Sequence, residues 1–72
     1  MTDEATITVT ANGREYRIPK NQLLDTFLES VGQKPGLVVV ERNGIALTQS
    51  EARKTVLEHG DRLEIVRIVA GG

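Results

Sequence analysis

The groups that could do chemistry in this chain are few, and the carboxylate of Gly72 is the best placed of them. Gly71-Gly72 follow an apolar segment directly, and the missing Cβ of glycine lets a narrow channel of another protein admit the backbone. An α-carboxylate has a usual pKa of about 3.3–3.7, so at neutral pH it is ionised and a poor electrophile. It can carry a group only after a partner activates it, most simply as an acyl adenylate made from ATP.

The remaining reactive side chains do not form a catalytic group. His59 is the only histidine and precedes Gly60-Asp61, so we expect a solvated loop residue. Glu51, Glu58 and Asp61 fall in the same region and are interpreted as a solvated polar face. The chain has no cysteine, which excludes a disulfide, a thiolate metal site and a thiol nucleophile. We therefore expect no bound cofactor, no metal and no enzyme activity of its own.

The amino-acid composition argues against a nucleic-acid-binding protein and against a membrane protein. The 72 residues carry 9 basic and 10 acidic side chains, for a net charge of −1. A nucleic-acid-binding protein would show a basic stripe with several aromatics, whereas Tyr16 and Phe27 are the only aromatic residues. No segment approaches the ~20 apolar residues of a membrane span, and the start at Asp3-Glu4 does not resemble a signal peptide. We expect a cytoplasmic protein that binds neither nucleic acid nor membrane.

The first half of the chain predicts a hairpin followed by a helix. Residues 6–10 and 14–18 alternate in polarity, and Asn12-Gly13 between them favours a two-residue turn. Residues 21–31 carry apolar side chains at helical spacing, with Asn21 as the predicted N-cap and Gly32 as the residue that ends the helix. The residues expected to face the core are Ile7, Val9, Tyr16, Ile18, Leu23, Leu24, Phe27, Leu28 and Val31.

The second half predicts three strands and one short helical turn. Residues 37–42 contain three consecutive β-branched valines and predict a buried strand, Asn43-Gly44 predicts a second hairpin turn, and residues 45–47 a short strand. Thr48 and Glu51 have the spacing of a capping box. Residues 62–69 form the last predicted strand, with Leu63 and Ile65 facing the core.

This order of elements predicts an α+β fold with one main helix on one face of a mixed, four- to five-stranded sheet, the β-grasp architecture. We expect a single domain over residues 1–72, with residues 1–5 frayed and residues 69–72 forming a flexible, extended tail that ends in Gly-Gly. Extended, that tail would reach roughly 13 Å beyond the sheet.

Several motifs then resemble one known family. The resemblance lies in the first strand-Asn-Gly-strand, in Leu23-Leu24 and in residues 40–44, Val-Glu-Arg-Asn-Gly. It continues in residues 57–66, Leu-Glu-His-Gly-Asp-Arg-Leu-Glu-Ile-Val, and in the terminal Val-Ala-Gly-Gly. Together these motifs resemble the ThiS sulfur carriers of thiamine biosynthesis, which belong with the MoaD-type proteins to the ubiquitin-like β-grasp family.

The resemblance implies a mechanism and a set of partners. A ThiF-type activating enzyme, related to ubiquitin E1, would adenylate Gly72 with Mg-ATP. Sulfur from a cysteine-derived donor would then replace the adenylate, and the resulting thiocarboxylate would deliver sulfur to a ThiG-type thiazole synthase. Gly71 and Ala70 would give the tail access to the channels of these enzymes.

Three other functions remain open from the sequence. The first is the small subunit of molybdopterin synthase, although residues 67–70 lack the prolines common in that type. The second is a ubiquitin-like modifier, joined to lysine through an isopeptide bond. The third is a binding module without chemistry. Residues 46–49 also lack the proline-arginine pair often found in ThiS proteins after the second Asn-Gly.

The phase of the last strand also predicts a partner-binding surface. If Leu63 and Ile65 face the core, Val66 and Ile68 point to the opposite, open face of the sheet. We expect Val66 and Ile68 to contact the enzymes that receive the tail, and Val38 and Val40 to be candidates for joining them. The alternative is that they are ordinary exposed apolar residues, which are common.

Overall fold

The computed structural model describes residues 5–69. Most of the predicted frayed start (residues 1–5) and of the predicted tail (residues 69–72) falls on residues 1–4 and 70–72, which lie outside the described residues. The elements in chain order are β1 Thr6–Ala11, β2 Arg14–Pro19, α1 Leu24–Ser30, β3 Val38–Arg42, β4 Ile45–Ala46, α2 Gln49–Lys54 and β5 Arg62–Arg67. A 3₁₀ turn, Pro35–Leu37, precedes β3. Among residues 5–69, no helix has the length and apolar character needed to cross a bilayer.

The five strands form one mixed sheet in the order β2-β1-β5-β3-β4. β5 is parallel to β1 and antiparallel to β3, so the last strand lies in the centre. Both predicted hairpins are confirmed, since Asn12, Gly13, Asn43 and Gly44 all have positive φ, as a two-residue type I′ turn requires.

The main helix is shorter at its start than predicted. α1 begins at Leu24 with Leu23 as N-cap, and Asn21 has a φ of +67°, so the assignment of Asn21 as N-cap is wrong. The cause is a tertiary contact: Leu23 forms an antiparallel bridge with Val56, and the Leu24 N–H donates to the Thr55 carbonyl at 2.9 Å. Because these contacts keep Leu23 extended, the helix begins only at Leu24. The predicted end is confirmed, with Gly32 at a φ of +83°.

The core lies between α1 and one face of the sheet. Leu24, Phe27 and Leu28 of the helix are fully buried. They pack against Val9 and Leu63, which come from the two parallel strands. A half-buried tyrosine of β2, Tyr16, meets the ring of Phe27 edge to face, with 5.2 Å between centroids, a favourable arrangement for aromatic pairs. Leu23, also predicted to face the core, is 43% exposed because it forms the bridge to Val56.

The predicted capping box is present at the start of α2. The Thr48 side chain accepts from the Glu51 N–H at 3.1 Å, and the Glu51 carboxylate accepts from the Thr48 N–H at 2.8 Å. α2 contributes Ala52 to the core and is followed by the segment that holds the start of α1.

Candidate functional site

β5 carries the chain from the centre of the sheet to the predicted tail. The strand ends at Arg67, earlier than predicted, although the Ile68 N–H still donates to the Leu37 carbonyl at 2.8 Å. Val69 is 82% exposed. The predicted acyl carrier Gly72 and its neighbours Gly71 and Ala70 lie outside the described residues, so their roles stay predictions.

The two edges of β5 are held differently near its end. β3 pairs with β5 as far as Arg67, whereas the ladder with β1 stops at the pair Ala11–Leu63. Beyond that pair, the side chain of Asn12 takes over: its Oδ1 accepts from the Ile65 N–H at 2.7 Å and its Nδ2 donates to the Ile65 carbonyl at 3.1 Å. The turn residue thus extends the sheet by one position on the strand that leads to Gly72.

The open face of the sheet carries an apolar patch beside the tail. Val66 and Ile68 are 62% and 49% exposed, which confirms the predicted phase of β5; their role in binding is untested by this geometry. Val39 lies directly opposite Val66 and is also exposed. We call Val39, Val66 and Ile68 the outer patch.

Val38 and Val40 were the wrong candidates for that face. Both are buried in the core, because β3 alternates strictly and turns them toward the helix. Three consecutive valines at 38–40 fit either face of a strand, so the sequence does not show which of them point to the core. The pairing of β3 with β5 determines it.

A buried carboxylate, Asp61, organises the loops at the start of β5. Its Oδ2 accepts from Arg42 Nε at 3.0 Å and from the Glu58 N–H at 2.9 Å, and its Oδ1 accepts from Asn43 Nδ2 at 3.0 Å. Burial raises the pKa of Asp61, but the hydrogen bonds from Glu58, Asn43 and Arg42 and the Arg42 charge outweigh it and hold the pKa below the usual value of 3.8.

The interpretation of Asp61 as part of a solvated face is therefore wrong; Glu51 and Glu58 are exposed as expected. A sequence signal did exist. Arg42 and Asn43 supply a cation and an amide at one turn, and Asp61 follows Gly60 at another. Pairing of β3 with β5 brings these two turns together.

His59 is exposed, as predicted, yet it has a specific partner. Its Nδ1 accepts from the Thr8 N–H at 3.1 Å, and the Gly60 N–H donates to the Thr8 carbonyl at 2.8 Å. These bonds hold the turn before β5 against β1. Within residues 5–69 no three His, Cys, Asp or Glu side chains come together as a metal site.

A single main helix on one face of this five-stranded sheet, with the central strand running out to the predicted tail, defines a β-grasp protein of the ubiquitin-like class. One solved structure with this fold is the crystal structure of the thiamine biosynthesis protein ThiS from Geobacter metallireducens. The match has a TM-score of 0.74 at 23% identity and covers 92% of this chain and all of the other.

The family model of the ThiS family matches residues 5–72. The chain therefore belongs to the ThiS family, whose members are small sulfur-carrier proteins. No curated protein sequence matches the chain significantly.

Proposed function

We propose that this protein carries sulfur as a thiocarboxylate on Gly72 for thiazole formation in thiamine biosynthesis. The observation that carries the proposal is the ThiS family match, which extends through the terminal Gly-Gly. It is supported by the central position of β5, which leads the chain to the exposed Val69, the first residue of the predicted tail.

The chemistry proceeds in two steps, both on partner enzymes. In an E1-like activating enzyme of ThiF type, a carboxylate oxygen of Gly72 attacks the α-phosphorus of Mg-ATP, and pyrophosphate leaves. Sulfur at the sulfide level, derived from cysteine, then attacks the acyl carbon, and AMP leaves with the C–O bonding electrons. The thiocarboxylate is the sulfur donor for a ThiG-type thiazole synthase.

In this proposal the chain itself presents Gly72 to the active sites of the partner enzymes. The folded body of this 72-residue chain docks outside each enzyme while the tail enters; Gly71 and Ala70 offer little bulk to the channel. The outer patch of Val39, Val66 and Ile68 is the docking surface in this proposal, since it is exposed and continuous with the strand that leads into the tail. The cytoplasm, where ATP and reduced sulfur are available, is the proposed location.

The decisive experiment is a reconstitution with the cognate activating enzyme, Mg-ATP and a sulfide source. We expect ATP–pyrophosphate exchange that depends on Gly72, and an intact-mass increase corresponding to one oxygen exchanged for sulfur. The thiocarboxylate should then support thiazole formation by the synthase.

Each competing function predicts a different result. Isopeptide conjugation to lysines without a thiocarboxylate would indicate a modifier. A thiocarboxylate used only by molybdopterin synthase would move the protein to that pathway. No adenylation by its activating enzyme would leave a binding module.

A further inference from the structure

A cleft lies beside the root of the tail, on the side of the sheet opposite to the outer patch. It has a volume of about 160 Å³, below the roughly 300–1,000 Å³ of sites that enclose a ligand. Three segments form it: the turn after α1, the start of β3 with the residue before it, and the end of β5. The lining residues are Gly32, Gln33, Lys34, Leu37, Val38 and Arg67.

The cleft presents two cations that pair with no carboxylate among residues 5–69. Lys34 and Arg67 are both exposed. Within residues 5–69 the ion pairs are Arg42–Asp61 and Arg53–Asp25, so neither cation of the cleft is part of one. The surface they form therefore attracts a negative group from outside the described chain.

The backbone of the cleft argues against a free small anion as that group. The N–H groups of Gly32 and Gln33 already donate to α1 carbonyls, at 3.1 Å and 2.8 Å, and the Leu37 N–H donates to the Lys34 carbonyl at 2.8 Å. Sites for free anions commonly rely on convergent backbone N–H groups. With these three N–H groups engaged, the charged groups that the cleft offers are the flexible side chains of Lys34 and Arg67, which suits a carboxylate already fixed on another protein.

The position of the cleft indicates which protein that is. When the tail is extended inside a channel, Gly72 lies five residues, about 17 Å, beyond Arg67, so in the complex the group held at Arg67 is one of the partner's. A channel that takes in the tail must instead surround its root. It meets the outer patch on one face of β5 and Lys34 with Arg67 on the other, since Arg67 lies opposite the inward-facing Val38.

We propose that Lys34 and Arg67 form a second contact surface, which binds aspartate or glutamate side chains at the mouth of the channel in the enzymes that receive the tail. This inference rests on the proposed function and adds to it the chemistry of the partner: apolar toward the outer patch and acidic toward the cleft. Charges at the rim of an interface mainly affect the association rate and its dependence on salt.

The test is a charge reversal with a matched control. K34E/R67E changes the net charge by the same amount as K20E/K54E, whose exposed lysines belong neither to the cleft nor to the outer patch. Calorimetric titration with the activating enzyme should show K34E/R67E weakened on the order of tenfold at low ionic strength, a few-fold per lost pair. Its affinity should depend less on salt than that of the unmodified chain, and K20E/K54E should bind like the unmodified chain.

The possible results separate this inference from the proposed function. Equal binding by K34E/R67E and K20E/K54E overturns the inference alone, provided that the unmodified chain binds and forms the thiocarboxylate. Failure of the unmodified chain to bind the activating enzyme overturns both the proposed function and this inference. Competition by millimolar inorganic phosphate that is lost in K34E/R67E would mark a small-ion site instead. A dimer in sedimentation that K34E/R67E abolishes would mark a contact between two copies; either result overturns the proposal.

Discussion

The side chain of Asn12 binds both backbone groups of Ile65, a residue 53 positions away, with an N–H···Oδ1 distance of 2.7 Å and an Nδ2···O distance of 3.1 Å. The same residue has the positive φ of the first hairpin turn. Asn43 plays a similar part on the other edge of β5, where its Oδ1 accepts from the Arg62 N–H at 2.8 Å. An amide suits these positions because it offers a donor and an acceptor together.

Replacing Asn12 with glycine isolates the bonds to Ile65, because glycine accepts the positive φ of the turn without strain. Loss of two hydrogen bonds should lower the free energy of unfolding by about 1–2 kcal/mol. Chemical denaturation measures the loss, and amide exchange should accelerate at Ile65. Asn12→Asp, which keeps the acceptor and loses the donor, should fall between; an Asn12→Gly protein with unchanged stability and exchange would show that the bonds contribute nothing.

Replacing Asp61 with asparagine should destabilise the fold by about 2 kcal/mol, since charge-assisted hydrogen bonds are lost and Arg42 keeps its charge without a partner. The matched control is Asp25→Asn. Asp25 forms a more exposed pair with Arg53, with side chains 28% and 38% exposed. Its replacement should lower the free energy of unfolding by less than about 1 kcal/mol. Equal effects in thermal melts would contradict the role assigned to Asp61.

The depressed pKa of Asp61 also predicts acid sensitivity. A carboxyl whose folded pKa lies below its unfolded value adds stability that is complete above the unfolded pKa and is lost as the pH falls through the folded pKa. With the usual value at 3.8, its contribution should be constant above about pH 5 and decline from about pH 4 downward. Unfolding free energies of the unmodified chain and Asp61→Asn, measured across this range, should converge toward low pH.

Replacing Val66 with aspartate tests the outer patch. Binding to the activating enzyme and to the sulfur acceptor should weaken at least about thirtyfold, as for a hot-spot residue, while the fold survives because Val66 is exposed. Val39→Asp should weaken binding in the same direction. Ile45, which is 69% exposed at the edge of the sheet, provides the control Ile45→Asp; if all three variants bind alike, the patch is not a docking surface.

Deleting Gly72 separates folding from function. Stability should stay within the roughly ±0.5 kcal/mol of a surface change, whereas thiocarboxylate formation should vanish because the carboxylate has moved back by one residue. Thermal melts and intact-mass analysis of the reconstituted reaction measure both. Sulfur delivery by the shortened chain would end the carrier hypothesis.

Local pattern was enough to predict most of the elements. The two Asn-Gly turns, the capping box at Thr48 and the glycine that ends α1 depend on short-range chemistry, and all are present. The start of α1 was not predictable in this way, since bonds from residues 22–24 to residues 55–57 override the local preference for helix. The phase of β3 was equally hidden, because three consecutive valines fit either face.

By itself, the sequence determined the class of the protein, because the order of strands and helix and the family motifs are properties of a linear pattern. Only the tertiary structure decided that Asp61 is buried, that Asn12 holds Ile65, and that Lys34 comes beside Arg67. Asp61 meets Arg42 and Asn43 across 19 and 18 positions of sequence, and Asn12 meets Ile65 across 53. Such contacts depend on strand order and register, which bring together edges and turns that no local periodicity connects.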